Sequence, residues 1–189
     1  MIDLGTGDGR FVSQAAREDP NKFFIGIDAN VKPLEKPSMK ATRNPAKGGL
    51  RNVMFVQAAA EDLPAEFDGV ANEIHIHFPW GSLLRAVATA DHQVVSGLRR
   101  IAAADCTLEI VIGIDPVRDR SEIERLSIPD LNESYIRNSL VPGYNRLGFR
   151  LTDHGILAPA EWPRLTTSWA RKLSGNATRV VRYFVFEAA

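Results

Sequence analysis

The nine residues IDLGTGDGR, Ile2 to Arg10, constrain this chain more than any other stretch. Three glycines at alternate positions, Gly5, Gly7 and Gly9, stand between a short apolar run and the amphipathic segment GRFVSQAARE. Glycine turns through left-handed conformations and lets backbone approach a ligand closely, so the stretch reads as strand, tight loop and helix. One such unit buries too little apolar surface to stand alone, and the rest of the chain supplies more. KFFIGID, VMFVQAA, NEIHIHF, CTLEIVIGID, FRLTDHGIL and RVVRYFVFE read as strands. Between them, VKPLEKPSMKATR reads as a Pro-interrupted helix, and DHQVVSGLRRIAAA as a helix with Val94, Val95, Leu98 and Ile101 on one face. RSEIERLSIPDLNESYIRNSL is mostly helical in pattern, and EWPRLTTSWARKLS is a further helix. This alternation predicts an α/β fold: a mostly parallel seven-stranded sheet with helices on both faces and an antiparallel strand near its end. A single domain over 1–189 is expected. Only Ile2, Asp3 and Leu4 precede the glycines, against the usual strand of about five or six residues, so a segment ahead of the first strand is expected to be missing.

Composition excludes several classes. No run of about eighteen apolar residues is present, so no membrane span is expected. The N-terminus has no basic segment followed by an apolar one, as a secretory leader would. The single Cys106 excludes an internal disulfide and offers no metal cluster. A cytoplasmic monomer without a metal is the expectation. The 23 basic and 23 acidic residues cancel, but not locally. Residues 36–51 hold Lys36, Lys40, Arg43, Lys47 and Arg51 with no acid, and residues 162–186 hold Arg164, Arg171, Lys172, Arg179 and Arg182 with none. Two basic segments of this kind can form one face for a polyanion or two solvated loops.

The glycine loop narrows the cofactor. Dinucleotide folds place a third glycine where this chain has Arg10. Gly5-x-Gly7-x-Gly9, with Asp3 two residues ahead, resembles instead the class I (Rossmann-like) methyltransferases that bind S-adenosylmethionine (SAM). That resemblance implies Asp3 near the cofactor's amino group, where a carboxylate beside an ammonium makes physical sense. Asp28 ends the second strand, a position from which an acid accepts hydrogen bonds from ribose hydroxyls. Ala58, Ala59 and Ala60 after the third strand leave room for an adenine ring, and Glu61 or Asp62 can accept from its amino group. Thr6 and Ser82 complete the expected cofactor set.

The fourth strand ends in Phe78-Pro79-Trp80-Gly81. Ligands of doubly wound sheets lie at the carboxyl ends of the strands, so these aromatics are expected beside the transferable methyl group. A second tryptophan, Trp169, is followed by Arg171 and Lys172, a setting that suits a base beside its phosphates. Trp162, next to Pro163, reads as a packing anchor at a helix start. His75 and His77 alternate with Ile74, Ile76 and Phe78, and read as structural.

Taken together, IDLGTGDGR, AKGGLRNV, FPWGSLL and SWARKL resemble the aminoglycoside-resistance 16S ribosomal RNA methyltransferases that modify adenine-1408 at N1. The resemblance implies that Trp80 and Trp169 sandwich one flipped adenine, with Thr167 near the base. It implies rRNA contacts at Lys40, Arg43 and Lys47 and at Arg171, Lys172 and Arg179, and the 30S subunit as partner. The family carries a β-hairpin and further chain ahead of the glycine motif, which this sequence does not show. Other readings share parts of this evidence. A tRNA (guanine-N7)-type enzyme shares the fold and a Pro-bearing fourth-strand motif. A small-molecule methyltransferase needs no distributed basic patches, and a non-enzymatic RNA-binding domain needs neither Asp28 nor the glycines.

Overall fold

The computed structural model describes residues 1–158, 161 and 179–189. Seven strands form one sheet: β1 (Ile2–Leu4), β2 (Phe24–Asp28), β3 (Val53–Gln57), β4 (Ala71–His77), β5 (Ala102–Ile114), β6 (Phe149–Ile156) and β7 (Val180–Ala188). Their order is β3-β2-β1-β4-β5-β7-β6. β1 to β5 run parallel, whereas β7 is antiparallel to both its neighbours, β5 and β6. The expected antiparallel strand is therefore the last in sequence, inserted inside the sheet rather than added at its edge. β1 is short but central, hydrogen-bonded to β2 and β4, with all three residues buried. The strand order reverses beside β1, and a crevice opens there at the carboxyl ends.

α1 (Arg10–Glu18) and α2 (Val31–Ala41) follow β1 and β2. Asn30 caps α2 by accepting from the Lys32 amide, and Pro33 and Pro37 both fall within that helix. α3 (Gly81–Thr89) and α4 (His92–Ile101) follow β4, and α5 (Arg120–Leu126) follows β5. The segment after α5 is broken into a short α6 (Glu133–Tyr135), a π-helical turn at Ile136–Leu140 and α7 (Val141–Arg146). Asp91 caps α4 through the Gln93 and Val94 amides, and Val94, Val95, Leu98 and Ile101 are all buried, as their spacing predicts. The local pattern predicts that this helix continues through the alanines; it ends at Ile101. Ala102 instead pairs with Ala71 of β4, so strand pairing overrides alanine's helical preference. The helix expected over 161–174 lies outside the described residues, apart from Glu161.

Side chains alternate across a strand, and here the two faces differ in kind. Ile74 and Ile76 of β4, Leu108 and Ile110 of β5, and Phe184 and Phe186 of β7 share one apolar core with Leu84 and Val87 of α3 and Val94, Val95 and Leu98 of α4. The opposite face carries a polar row. Asp3, His75 and Glu109 are register partners on β1, β4 and β5, and His77 is one alternation further along.

Candidate active site at the carboxyl ends of the strands

A cavity of roughly 610 Å³ opens where the strand order reverses, a size suited to a cofactor. Its wall draws on four strand ends: Asp3, Gly5, Thr6 and Gly7 from β1 and its loop, Asp28 from β2, Ala60 and Glu61 after β3, and Phe78, Pro79 and Trp80 after β4. Ser82 of α3 joins them. The whole expected cofactor set is thus brought together. Ala58 and Glu61 are on this wall, while Ala59 and Asp62 are not among its lining residues.

The loop geometry follows from its glycines. Gly9 caps α1 with φ 65°, and a Cβ there would stand 2.5 Å from a ring carbon of Phe55. Gly5 has φ 78°, and its Cβ would meet Leu83 at 2.9 Å. Larger residues would be strained and would also clash. Asp28 fixes the loop: Oδ2 accepts from the Gly7 amide at 2.8 Å and Oδ1 from the Asn30 amide at 2.9 Å. Each oxygen keeps a further lone pair, so the same carboxylate can also accept from ribose hydroxyls. Asp3 is buried, and that burial raises its pKa against the opposing pull of His77. A cation brought into the cavity, such as the ammonium of SAM, would favour the charged form of this carboxyl. The donor set therefore fits that cofactor.

The aromatic turn divides its labour. Phe78 has φ 51°, a left-handed conformation costly for a bulky residue, and its amide donates to the Val111 carbonyl at 2.8 Å. Phe78 is buried with Val111 and Val181, so it acts as an anchor in the core as well as a wall residue of the cavity. Pro79 is buried. Trp80, at the start of α3, is 45% exposed at the mouth of the cavity. Gly81 again takes a positive φ, 61°.

The cationic residues separate. Lys40, Arg43 and Lys47 are exposed on α2 and the turn after it. Lys32, Lys36 and Lys40 line a groove between α1 and α2 that Arg10 and Arg17 also line. Charge runs alone do not gather these five, although lysines at i, i+4 and i+8 on one helix are a visible signal. Arg179 behaves differently. Its guanidinium is buried, 2.5 Å from Asp119 Oδ2, and also donates to the Gly113 carbonyl at 2.8 Å. Its charge is therefore compensated internally, unlike that of the exposed cations of α2 and the turn after it. Thr167, Trp169, Arg171 and Lys172, like Trp162, lie outside the described residues.

The histidines are not inert packing. His77 Nε2 lies 2.6 Å and His75 Nδ1 3.4 Å from Oε1 of Glu109, and the Phe11 ring packs on both imidazoles. The hydrogen bonds from His75 and His77 hold the Glu109 carboxyl well below the usual carboxylate range. Burial alone would lower the His75 value, but the bond to Glu109 and its charge outweigh that, and the net shift is upward. Glu109 is not legible in the sequence as a partner, because only the sheet brings it beside the His-x-His of β4.

Comparison with known proteins places these features in context. Residues 1–186 match the family model described as NpmA, 16S rRNA (adenine(1408)-N(1))-methyltransferase. A 16S rRNA (adenine(1408)-N(1))-methyltransferase of Escherichia coli is 36% identical over 179 residues, 94% of this chain and 82% of that protein. The crystal structure of the aminoglycoside resistance methyltransferase NpmB1 aligns with a TM-score of 0.86 at 46% identity, covering 100% of this chain and 86% of that one. A mutant of the 16S rRNA (adenine(1408)-N(1))-methyltransferase from Catenulisporales acidiphilia, solved with its cosubstrate SAM, aligns with a TM-score of 0.90 at 32% identity, covering 100% of this chain and 84% of that one.

Proposed function

The chain belongs to the 16S rRNA (adenine(1408)-N(1))-methyltransferase family, and on that premise we propose that it transfers a methyl group from SAM to N1 of adenine-1408 in the 30S subunit, giving aminoglycoside resistance. The observation that carries this reading is one cavity bordered on one side by Asp3 and Asp28 and at its mouth by the half-exposed Trp80. SAM supplies an electrophilic methyl group on a sulfonium centre. In this reading Asp3 pairs with the ammonium end of that cofactor and Asp28 with its ribose, and Ala58, Ala60 and Glu61 border its adenine; all five line the one cavity.

The target base needs little acid–base help. Adenine N1 carries a lone pair and no hydrogen, so no side chain has to remove a proton before it is methylated. The work left to the protein is to extrude the base, stack it and align N1, and orientation of this kind supplies several kcal/mol or more. Trp80 offers the first stacking surface, worth about 1–3 kcal/mol. A ring facing the base also tolerates the positive charge that develops on it. Trp169 is the proposed second ring, with Thr167 near the base. Lys40, Arg43 and Lys47, with Arg171 and Lys172, are the proposed phosphate contacts. They position the substrate while the aromatics select its base.

Label transfer from tritiated SAM tests this. Intact 30S subunits, naked 16S rRNA and bulk tRNA are offered in parallel, and primer extension locates the mark. Label in 30S subunits with a stop at adenine-1408 is the expected result. Label in tRNA alone would replace the reading with the guanine-N7 alternative.

A further inference from the structure

The polar row beneath the cavity has the makings of a site that methyl transfer does not use. We infer that His75, His77 and Glu109 bind a divalent late transition-metal ion, of the zinc, cobalt or nickel kind. The donor atoms of these three side chains lie within 4.8 Å of one another. The two histidines alternate on β4 and so present their rings on the same face, and Glu109 is the register partner of His75 on β5. Imidazole and carboxylate donors suit these ions, and three protein ligands leave a coordination position open.

The surroundings are those of a ligand set rather than a chance cluster. A metal-binding histidine usually presents its second ring nitrogen to a carboxylate, which fixes tautomer and orientation. Here His75 turns Nδ1 towards Glu109 and sets Nε2 3.6 Å from Glu73 Oε2. Glu73 is in turn held by Lys22 Nζ at 2.9 Å. The His77 side chain is 2% exposed, with its Nε2 turned to Glu109 Oε1 at 2.6 Å. The Phe11 ring of α1 packs against both imidazoles, at centroid distances of 5.4 and 4.7 Å. Glu109 is one-third exposed, so its carboxylate can rotate to draw the three donors in to the ~2.0–2.2 Å that such an ion requires. Cysteine takes no part: Cys106 is buried in the apolar core, and burial pushes its thiol up to about 11. The ion would sit under the floor of the cavity, whose wall includes His77 and Asp3.

The test uses the untagged chain, freed of metal with a chelator. Zinc is titrated by calorimetry and cobalt by visible absorption. The expected result is one ion per chain, cobalt bands of a nitrogen and oxygen site without thiolate charge transfer, and a raised melting temperature with zinc. Glu73→Gln, which leaves all three ligands in place, should weaken binding about tenfold to a hundredfold. His75→Ala and Glu109→Gln should weaken it at least as much, with circular dichroism confirming that each variant is folded. His75 and Glu73 are the more accessible members, so these two variants keep the test decisive if Glu109→Gln fails to fold. Absence of saturable binding overturns the inference, as does equal affinity in His75→Ala, which would assign the ion to the other histidines, His92 or His154. The readout involves no methyl transfer, so the site stands or falls separately from the proposed reaction.

Discussion

Lys40, Arg43 and Lys47, on the α2 side of the sheet, are exposed, whereas Arg179, on the β7 side, is buried against Asp119. Both sets come from acid-free stretches of sequence, and both invite the same reading as phosphate contacts. What separates them is the fold around each. α2 faces outward over a shallow groove, and its lysines at four-residue spacing repeat along one stripe. β7 enters the sheet antiparallel beside β5, which brings Arg179 to the carboxyl end of β5, against the Gly113 carbonyl and the residue that begins α5. A cation in an acid-free segment is free only if no acid from elsewhere in the chain folds onto it.

That contrast can be broken most forcefully at Arg179. Removing one partner of a buried ion pair leaves an uncompensated charge, so Arg179→Ala should destabilise the protein by about 3–5 kcal/mol in urea unfolding. Arg179→Met combined with Asp119→Leu should recover most of that. Full stability in Arg179→Ala with weakened 30S binding would return this residue to the rRNA surface. Next in size is the cofactor side. Asp28→Ala should cost about 1.5–3 kcal/mol of SAM binding, the worth of hydrogen bonds to a charged acceptor, measured by calorimetry on folded protein. Unchanged affinity would remove Asp28 from the site. Trp80→Ala should then lower methylation of 30S subunits by about 1–3 kcal/mol of lost stacking, with SAM affinity intact, and Trp80→Phe should keep part of the rate. A Trp80→Ala protein that is unfolded in a thermal melt would make the ring a core residue instead. The smallest effect per residue belongs to the exposed cations. Charge reversal at Lys40 and Arg43 should leave stability unchanged, weaken 30S binding and reduce its salt slope by about one unit for each phosphate no longer neutralised.

Much of this is legible in the sequence, for identifiable reasons. The glycine loop, Asp28 and the FPWG turn are readable because each lies at a strand end, and the fold class fixes where strand ends meet. α3 is hidden because Pro79 and Gly81 look like punctuation, although Gly81 begins the helix. The start of β5 is hidden because alanines favour helix locally, while pairing with Ala71 is a long-range effect. Phe78 reads as a partner of Trp80 because a linear sequence does not say which of two neighbouring rings turns inward. Glu109 and Asp119 are invisible as partners for one shared reason: each meets its counterpart across the sheet or from another element.

Phe78 is locked in the core and Pro79 is buried, so the ring of Trp80 is carried on a rigid mount directly beside the cofactor cavity. The proposed base platform and the cofactor cavity are therefore contiguous, and one small molecule can span both. An adenosine-like group in the cavity, tethered to a planar heteroaromatic, would meet Trp80 as an intramolecular partner at high effective concentration. For an inhibitor designed to restore drug sensitivity, linker length then becomes the decisive variable, ahead of the intrinsic affinity of either half.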